Sequence, residues 1–417
     1  MGKPTPPVDD FDVAVVGAGP AGTAAALALE HVGAKVALIG PPPPKMQAAR
    51  PETRTAALLT SSVDFLKRLN VWEALAPHAA PLKAIRIVDA SRSLLRSPDI
   101  AFEARELGLE AFGYNVANTV LNEALYTRAQ DAVAQVIPES VAAIAISDRA
   151  AELTLSGGST LTARLVAGAD GRQSVCRDAA GIESSVWRYD QAAIATSFRH
   201  TIPHDGVSTE FHRELGSVTT VPTPDPLTSS LIWVGVTAEI GDLMACGDTD
   251  FAAQLQDRLG DTLGAVSDAG PRASFPVAGL TAKQLAAKRT ALIGEAAHIL
   301  PPIGAQGLNL GLRDAAALAD CVAGALRQGH DPGGLAVLAA YIRARQLDVT
   351  SRAIGVDLLN RSLLTGLLPV QAARGMVVAG LNAFAPLRRF VMRAGLTPPA
   401  RLPSLMRPVT APPRLRA

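Results

Sequence analysis

The residues best suited to a chemical task in this chain are glycines. Residues 294–314 read GEAAHILPPIGAQGLNLGLRD, with four glycines and a Pro-Pro pair between an apolar run, TALI, and an Ala/Leu-rich helical pattern. A loop of this kind brings bare backbone close to a ligand, because a residue without a Cβ lets other atoms reach the main chain. A second cluster, Gly17, Gly19 and Gly22, spells G-x-G-x-x-G, with Ala18 and Ala21 between. That spacing suits the pyrophosphate of a dinucleotide. Gly17 allows a tight turn, Gly19 lets backbone approach the phosphates, and Gly22 lets helix and strand pack closely.

Such residues work only when strands and helices hold them. DVAVVGAGPAGTAAALALEHVGAKVALIG (12–40) parses as strand, turn, a helix ending at Gly33, and a second strand. The helix N-terminus then faces the phosphates with free N–H groups and a partial positive charge. One part is missing. A ribose-binding acid is expected ~20 residues beyond the motif, at the end of the second strand. That place falls near Gly40, before PPPPK, where no carboxylate stands. In LTARLVAGADGRQSVCRDAAGI (161–182), an apolar strand pattern ends in Asp170-Gly171, with Ser174 and Arg177 behind it. That arrangement suits contacts to a nucleotide or flavin; read alone, a β-turn with a surface ion pair is the simpler account.

Composition bounds the rest. The 417 residues suffice for two or three domains, and 48% are hydrophobic, which argues against disorder. A net charge of +1 makes no electrostatic case for nucleic acid. Cys176, Cys246 and Cys321 are scattered without metal-ligand spacing, so a reducing, cytoplasmic compartment is expected. The apolar stretch 13–30 follows an acidic segment and holds three glycines and a proline, which suits neither a signal peptide nor a membrane span.

Taken together and in order, the three glycine-bearing segments resemble the single-component flavoprotein aromatic hydroxylases, the group with the p-hydroxybenzoate hydroxylase fold. The third segment is usually G-D-A-A-H-x-x-x-P-x-x-G-x-G-x-N in that family, and here carries Glu295 in place of Asp. RTAALLTSSVDFLKRLNVWEAL (54–75), FGYNVANTVLNEALY (112–126) and the region 356–396 resemble one branch, the hydroxylases of ubiquinone biosynthesis. The likeness covers about residues 10–397.

The resemblance implies an α/β fold. A Rossmann-like FAD-binding domain (1–182 and 276–345, with parts of 82–115 reaching towards the substrate) would carry an inserted, mainly antiparallel substrate sheet (183–275). C-terminal helices (346–397) and a mobile tail (398–417) would follow. It implies that FAD is held by Gly17, Ala18, Gly19, Ala21, Gly22, Arg54, Asn118, Asp170, Gly171, Gly294, Glu295, Pro302, Gly304, Gln306, Gly307, Leu308 and Asn309. The acid after Gly294 would bond the ribityl chain, and 302–309 would bring backbone to the flavin ring. His298 is expected to be structural, and no catalytic acid or base can be named; His204, Glu210 and His212 read as ordinary surface residues. NAD(P)H or another electron donor would reduce the flavin, with no second Rossmann fingerprint to hold it. The implied substrates are oxygen and a polyprenylated phenol. The apolar and basic residues of 356–396 would suit a surface resting on the inner membrane, and other quinone-biosynthesis proteins are expected partners. Two further readings stay open: a hydroxylase of a soluble aromatic or polyketide, and a non-catalytic accessory subunit, the latter motivated by Gly40 and Glu295.

Overall fold

The structure, a computed structural model, describes residues 11–44, 54–90, 99–213, 216–364, 379–397 and 401–408. Two large sheets organise it. The first is built on parallel strands: Phe11–Val16 pairs with Thr160–Gly168 on one side and Val36–Ile39 on the other, and Thr290–Leu292 and Gln135–Ile137 extend it outward. Val13–Val16 and Val36–Ile39 are buried on both faces, which is why they read as unbroken apolar runs. An antiparallel flap, Val141–Ile146 and Ala151–Leu155, joins through Thr160–Gly168. Helix Pro20–His31 starts with proline in its first turn and buries Gly22–Leu29, a run of small and aliphatic residues. It packs between helices Asn118–Ala132 and Gln306–Arg327.

Among the described residues the second sheet has nine strands, all antiparallel except that Val207–Arg213 runs parallel to Ala84–Asp89. Its long strand Ser184–His200 pairs with Thr228–Val236 and Ala273–Ala282. Alternation gives it two faces. Ile194, Phe198, Leu231 and Trp233 pack under helices Thr237–Ala245 and Asp248–Leu259. Ala193, Ile232, Val234, Phe275 and Val277 form the other face. That face also carries links to other elements: Thr55 Oγ1 of strand Thr55–Leu59 donates to Ser230 Oγ at 3.1 Å, and Asn360 Nδ2 of helix Leu335–Leu364 to Gln191 Oε1 at 3.1 Å.

Several expectations change. The span 183–275 also contains the two helices just named, whose short apolar stripes were hidden among strand-like runs. The second sheet continues through Ala273–Ala282 and takes His298–Ile299 as an edge strand, so the chain re-enters the first sheet only at Ala286. The C-terminal helix begins at Leu335 and runs to Leu364. The tail is not free over residues 401–408. Leu405 and Met406 are buried against the first core, and Ser404 N donates to Asp320 Oδ2 at 2.8 Å. Residues 365–378, 398–400 and 409–417 lie outside those described.

Candidate functional site

The first glycine loop is tight because its neighbours are close. Gly17 has φ +111°, and a Cβ there would collide with the Ala169 carbonyl; one at Gly22 would collide with the Gly17 carbonyl. Gly19 is different. Nothing lies within 4 Å of where its Cβ would be, so its backbone borders open space. Helix Pro20–His31 starts there without a side-chain cap, leaving its first N–H groups for a ligand. Gly40 is explained by the same crowding. A Cβ there would lie 2.5 Å from the Ala18 nitrogen, so a ribose-binding carboxylate cannot enter at this position without displacing the loop.

Asp170 and Gly171 follow Thr160–Gly168 beside that loop. The Asp170 carboxylate accepts from Ser174 Oγ at 2.5 Å and Cys176 N at 3.0 Å, so it shapes its own turn, while Gly171, φ +78°, faces open space. Arg177 makes only a long ion pair with the exposed Asp178, at 4.0 Å. It is buried and donates to the carbonyls of Ala296 at 3.1 Å and Arg172 at 3.0 Å. Arg172, which sequence reasoning passed over, pairs with Glu295 at 3.1 Å. Both side chains are about half exposed, and such a pair is worth 0–1 kcal/mol (roughly), so Glu295 is cheaply released to a ligand.

The third loop closes the set. Gly294, φ +58°, sits against Ala21 and Gly311, seating this loop on the first helix. His298 is buried and bonds Asp314 through Nε2 at 2.6 Å, as a structural residue would. Pro302, Gly304, Ala305 and Gly307 are exposed, and Gln306 and Leu308 half-buried. Asn309 is a four-bond hub. Its Oδ1 accepts from Leu59 N at 2.9 Å and Ser62 Oγ at 2.7 Å, and its Nδ2 donates to Ala57 O at 2.8 Å and Ala305 O at 2.7 Å. It thereby pins strand Thr55–Leu59, which Arg54 opens, to the loop; Asn118 N donates to Arg54 O at 3.0 Å. Helix Gln306–Arg327 begins at Ala305, itself left-handed (φ +54°), with no side-chain cap. The two uncapped helices meet near their starts, where Ala21 packs on Gly294 and Gly311, with open glycine backbone and the exposed Glu295 carboxylate next in the chain: donors for phosphates and for an anionic ring edge, and an acceptor for hydroxyls. These residues fit FAD.

A buried ion cluster lies behind the third loop. Arg313 Nη1 bonds both Asp348 oxygens, at 2.9 and 2.7 Å; Arg345 bonds Asp314 at 2.8 Å and Asp348 at 2.7 Å; Arg352 Nε bonds Asp348 at 2.8 Å. Asp314 also accepts from Gly294 N at 3.1 Å. Burial alone would raise the Asp314 and Asp348 carboxyls. The surrounding cations outweigh it and hold both below the usual carboxylate range. Burial pushes Arg313 down to about 10. The sequence carried one signal for this cluster, Arg313-Asp314 in the middle of an apolar helix.

His212 and Glu210 are not surface residues; they pair at 2.8 Å, mostly buried in the second sheet. His204 Nε2 bonds the carbonyls of Thr223 and Asp225. None of the three meets the glycine loops through these bonds.

The FAD-binding domain family matches residues 10–350. This chain belongs to that family. A ubiquinone hydroxylase of Rhodospirillum rubrum is 34% identical, over 92% of this chain and 88% of its own length. The 3-demethoxyubiquinol 3-hydroxylase of Escherichia coli is 31% identical, over 92% and 98%. Among solved structures, p-nitrophenol 4-monooxygenase of Pseudomonas putida superposes with a TM-score of 0.74 over 94% of this chain and 99% of its own, at 17% identity. At that identity the likeness speaks for the fold; a Diels-Alderase shares it at a TM-score of 0.71, so the fold does not fix the reaction. Within the family, the sequence relatives put this chain in the ubiquinone-biosynthesis hydroxylase branch of the flavoprotein monooxygenases, with FAD as cofactor.

Proposed function

We propose that this protein hydroxylates the aromatic ring of a polyprenylated phenol in ubiquinone biosynthesis, with FAD seated in the cradle just described. The observation that supports the placement is the packing of Gly294 and Gly311 on Ala21, which joins two helices with uncapped starts beside open glycine backbone. Gly17, Ala18, Gly19, Ala21 and Gly22 would hold the pyrophosphate. Arg54, Asn118, Asp170, Gly171, Gly294 and Glu295 would line the ribityl and nucleotide path. Pro302, Gly304, Gln306, Gly307, Leu308 and Asn309 would meet the ring. FAD held there would supply the redox and oxygen-transfer chemistry, with NAD(P)H or another electron donor as reductant. The chain's own work is to bind, orient and exclude water. The apolar sheet face of Ala193, Ile232, Val234, Phe275 and Val277 suits that last task as a dry ceiling over the phenol.

The C-terminal helices support the lipid-tailed substrate. Leu358, Phe384 and Phe390 are 59–68% exposed, and the exposed Arg389 and Arg393 share the helix Ala385–Leu396 with Phe390, while Arg388 is paired with Glu106. Exposed apolar and basic side chains together suit an anionic membrane surface from which a polyprenyl tail is drawn. No helix among the described residues is long and apolar enough to cross a membrane. Encounters with other quinone-biosynthesis proteins would occur at the same surface.

The test is direct. The purified chain is expected to show flavin absorption, to consume oxygen with NAD(P)H and a polyprenylated phenol, and to return a product one oxygen heavier. Colourless protein that ignores added FAD would defeat the placement and favour an accessory role. Turnover of soluble aromatics alone would move the substrate to that class. Glu295→Asp should leave the FAD dissociation constant unchanged or lower it, because the charge stays and only a methylene goes. A loss of affinity of tenfold or more in that titration would mean that this loop holds another geometry.

A further inference from the structure

Arg352 joins three elements by side-chain donation. Its Nη1 donates to Gln306 Oε1 at 2.6 Å, and its Nε to Asp348. Nη1 also reaches Gly395 O at 3.2 Å, and Nη2 reaches Thr397 O at 3.0 Å, at the C-terminal end of helix Ala385–Leu396. Gln306 passes the connection on, because its Nε2 donates to Gly304 O at 2.9 Å. Gly304 and Ala305 are both left-handed, and their carbonyls are tied by Gln306 and Asn309 respectively. With those carbonyls held, the N–H groups that open helix Gln306–Arg327 are left to a ligand.

Charge runs along the same route. Arg313, Arg345 and Arg352 face Asp314 and Asp348, so the cluster carries at least one positive charge in excess whatever the state of His298. Among the described residues, the buried Nη2 atoms of Arg313 and Arg345 have no hydrogen-bond partner, as expected where donors outnumber acceptors. An uncompensated charge in such a place is little screened by salt. Asp348 keeps two other cations when Arg352 is removed, so the fold should tolerate the change.

We propose that Arg352 is a positioning residue for the cofactor loop: it holds Gln306 and brings the cluster's excess positive charge to that loop, so that reduced, anionic FAD is bound more tightly than oxidised FAD. This rests on the placement of FAD against residues 302–309.

The experiment is the midpoint potential of FAD bound to the full-length wild type and to Arg352→Met. About a tenfold preferential loss of affinity for the reduced form is expected, a downward shift of about 30 mV for a two-electron couple. Gln306→Leu should shift the potential the same way, and the double variant no further than Arg352→Met, because the two act in series. Arg352→Lys, which keeps the charge, should recover part of the shift; a purely structural role would give no such ordering. If Arg352→Met does not fold, Gln306→Leu and Arg352→Lys carry the test. A potential unchanged in variants that bind FAD would overturn the role of Arg352. Wild-type protein that binds no FAD would overturn the cofactor placement instead.

Discussion

Gly307→Val is expected to abolish FAD binding while leaving the fold intact. A Cβ at Gly307 would meet nothing of the protein within 4 Å. The valine therefore costs the apo chain little beyond helix propensity, at an exposed position in the first turn of helix Gln306–Arg327. In the proposed placement the flavin ring would occupy that space, and there two methyl groups would hold the backbone off the ligand. A dissociation constant raised at least about a hundredfold, near 2.8 kcal/mol, is expected with an unchanged melting temperature. A yellow, active Gly307→Val protein would mean that the ring lies elsewhere. Gly17→Ala would be a poor substitute, since its Cβ strikes Ala169 and any loss of flavin would follow from damage to the fold.

Asp348→Asn should be among the most destabilising single changes in the chain. The side chain is fully buried and accepts from Arg313, Arg345 and Arg352. The amide keeps the volume but leaves three guanidinium groups with Asp314 as their one remaining carboxylate. Breaking a buried pair from one side costs about 3–5 kcal/mol, a large share of a typical net stability of roughly 5–15 kcal/mol. Denaturant unfolding of the apo protein measures it; a loss below about 1 kcal/mol would mean that water reaches the cluster. Acid should have the same effect on wild type. Asp314 and Asp348 titrate lower in the folded chain than in the unfolded one, so their contribution is complete above the ordinary carboxylate range. It is lost as pH falls through the depressed folded values.

The parts of this site that were legible in sequence are those in which backbone does the work. Gly17 and Gly22 sit where any side chain meets main chain, and Gly294 has a left-handed backbone; such positions favour a glycine in the sequence whatever surrounds them. Gly40 was visible too, but as a missing acid; its meaning depends on Ala18, across the turn, which spacing does not reveal. The ion cluster was nearly silent because its members pair across distance: Asp314 with Gly294 and His298 on one side and Arg345 on the other. A helix that buries charges, as Leu335–Leu364 does at Arg345 and Asp348, also loses the apolar stripe by which helices are found. Leu405 and Met406 failed for a simpler reason. Two buried side chains in a Pro/Arg-rich tail create no period at all.

The order of strands in the first sheet has a consequence for synthesis. Phe11–Val16 needs Thr160–Gly168 beside it, and that strand in turn needs Thr290–Leu292. At about 5–20 residues per second, the first strand waits roughly 8–30 s on the ribosome for its central neighbour. Through that interval VAVV keeps an unpaired edge, a natural client for a chaperone. With FAD seated as proposed, its loading would come later still, since the cradle is incomplete until Asn309 has emerged and tied the last loop to Leu59. The cofactor, seated as proposed, would therefore meet a chain made at least as far as Asn309, and it would stabilise only what has already folded. Cellular FAD supply would then govern how many finished chains escape proteolysis, rather than how many begin to fold.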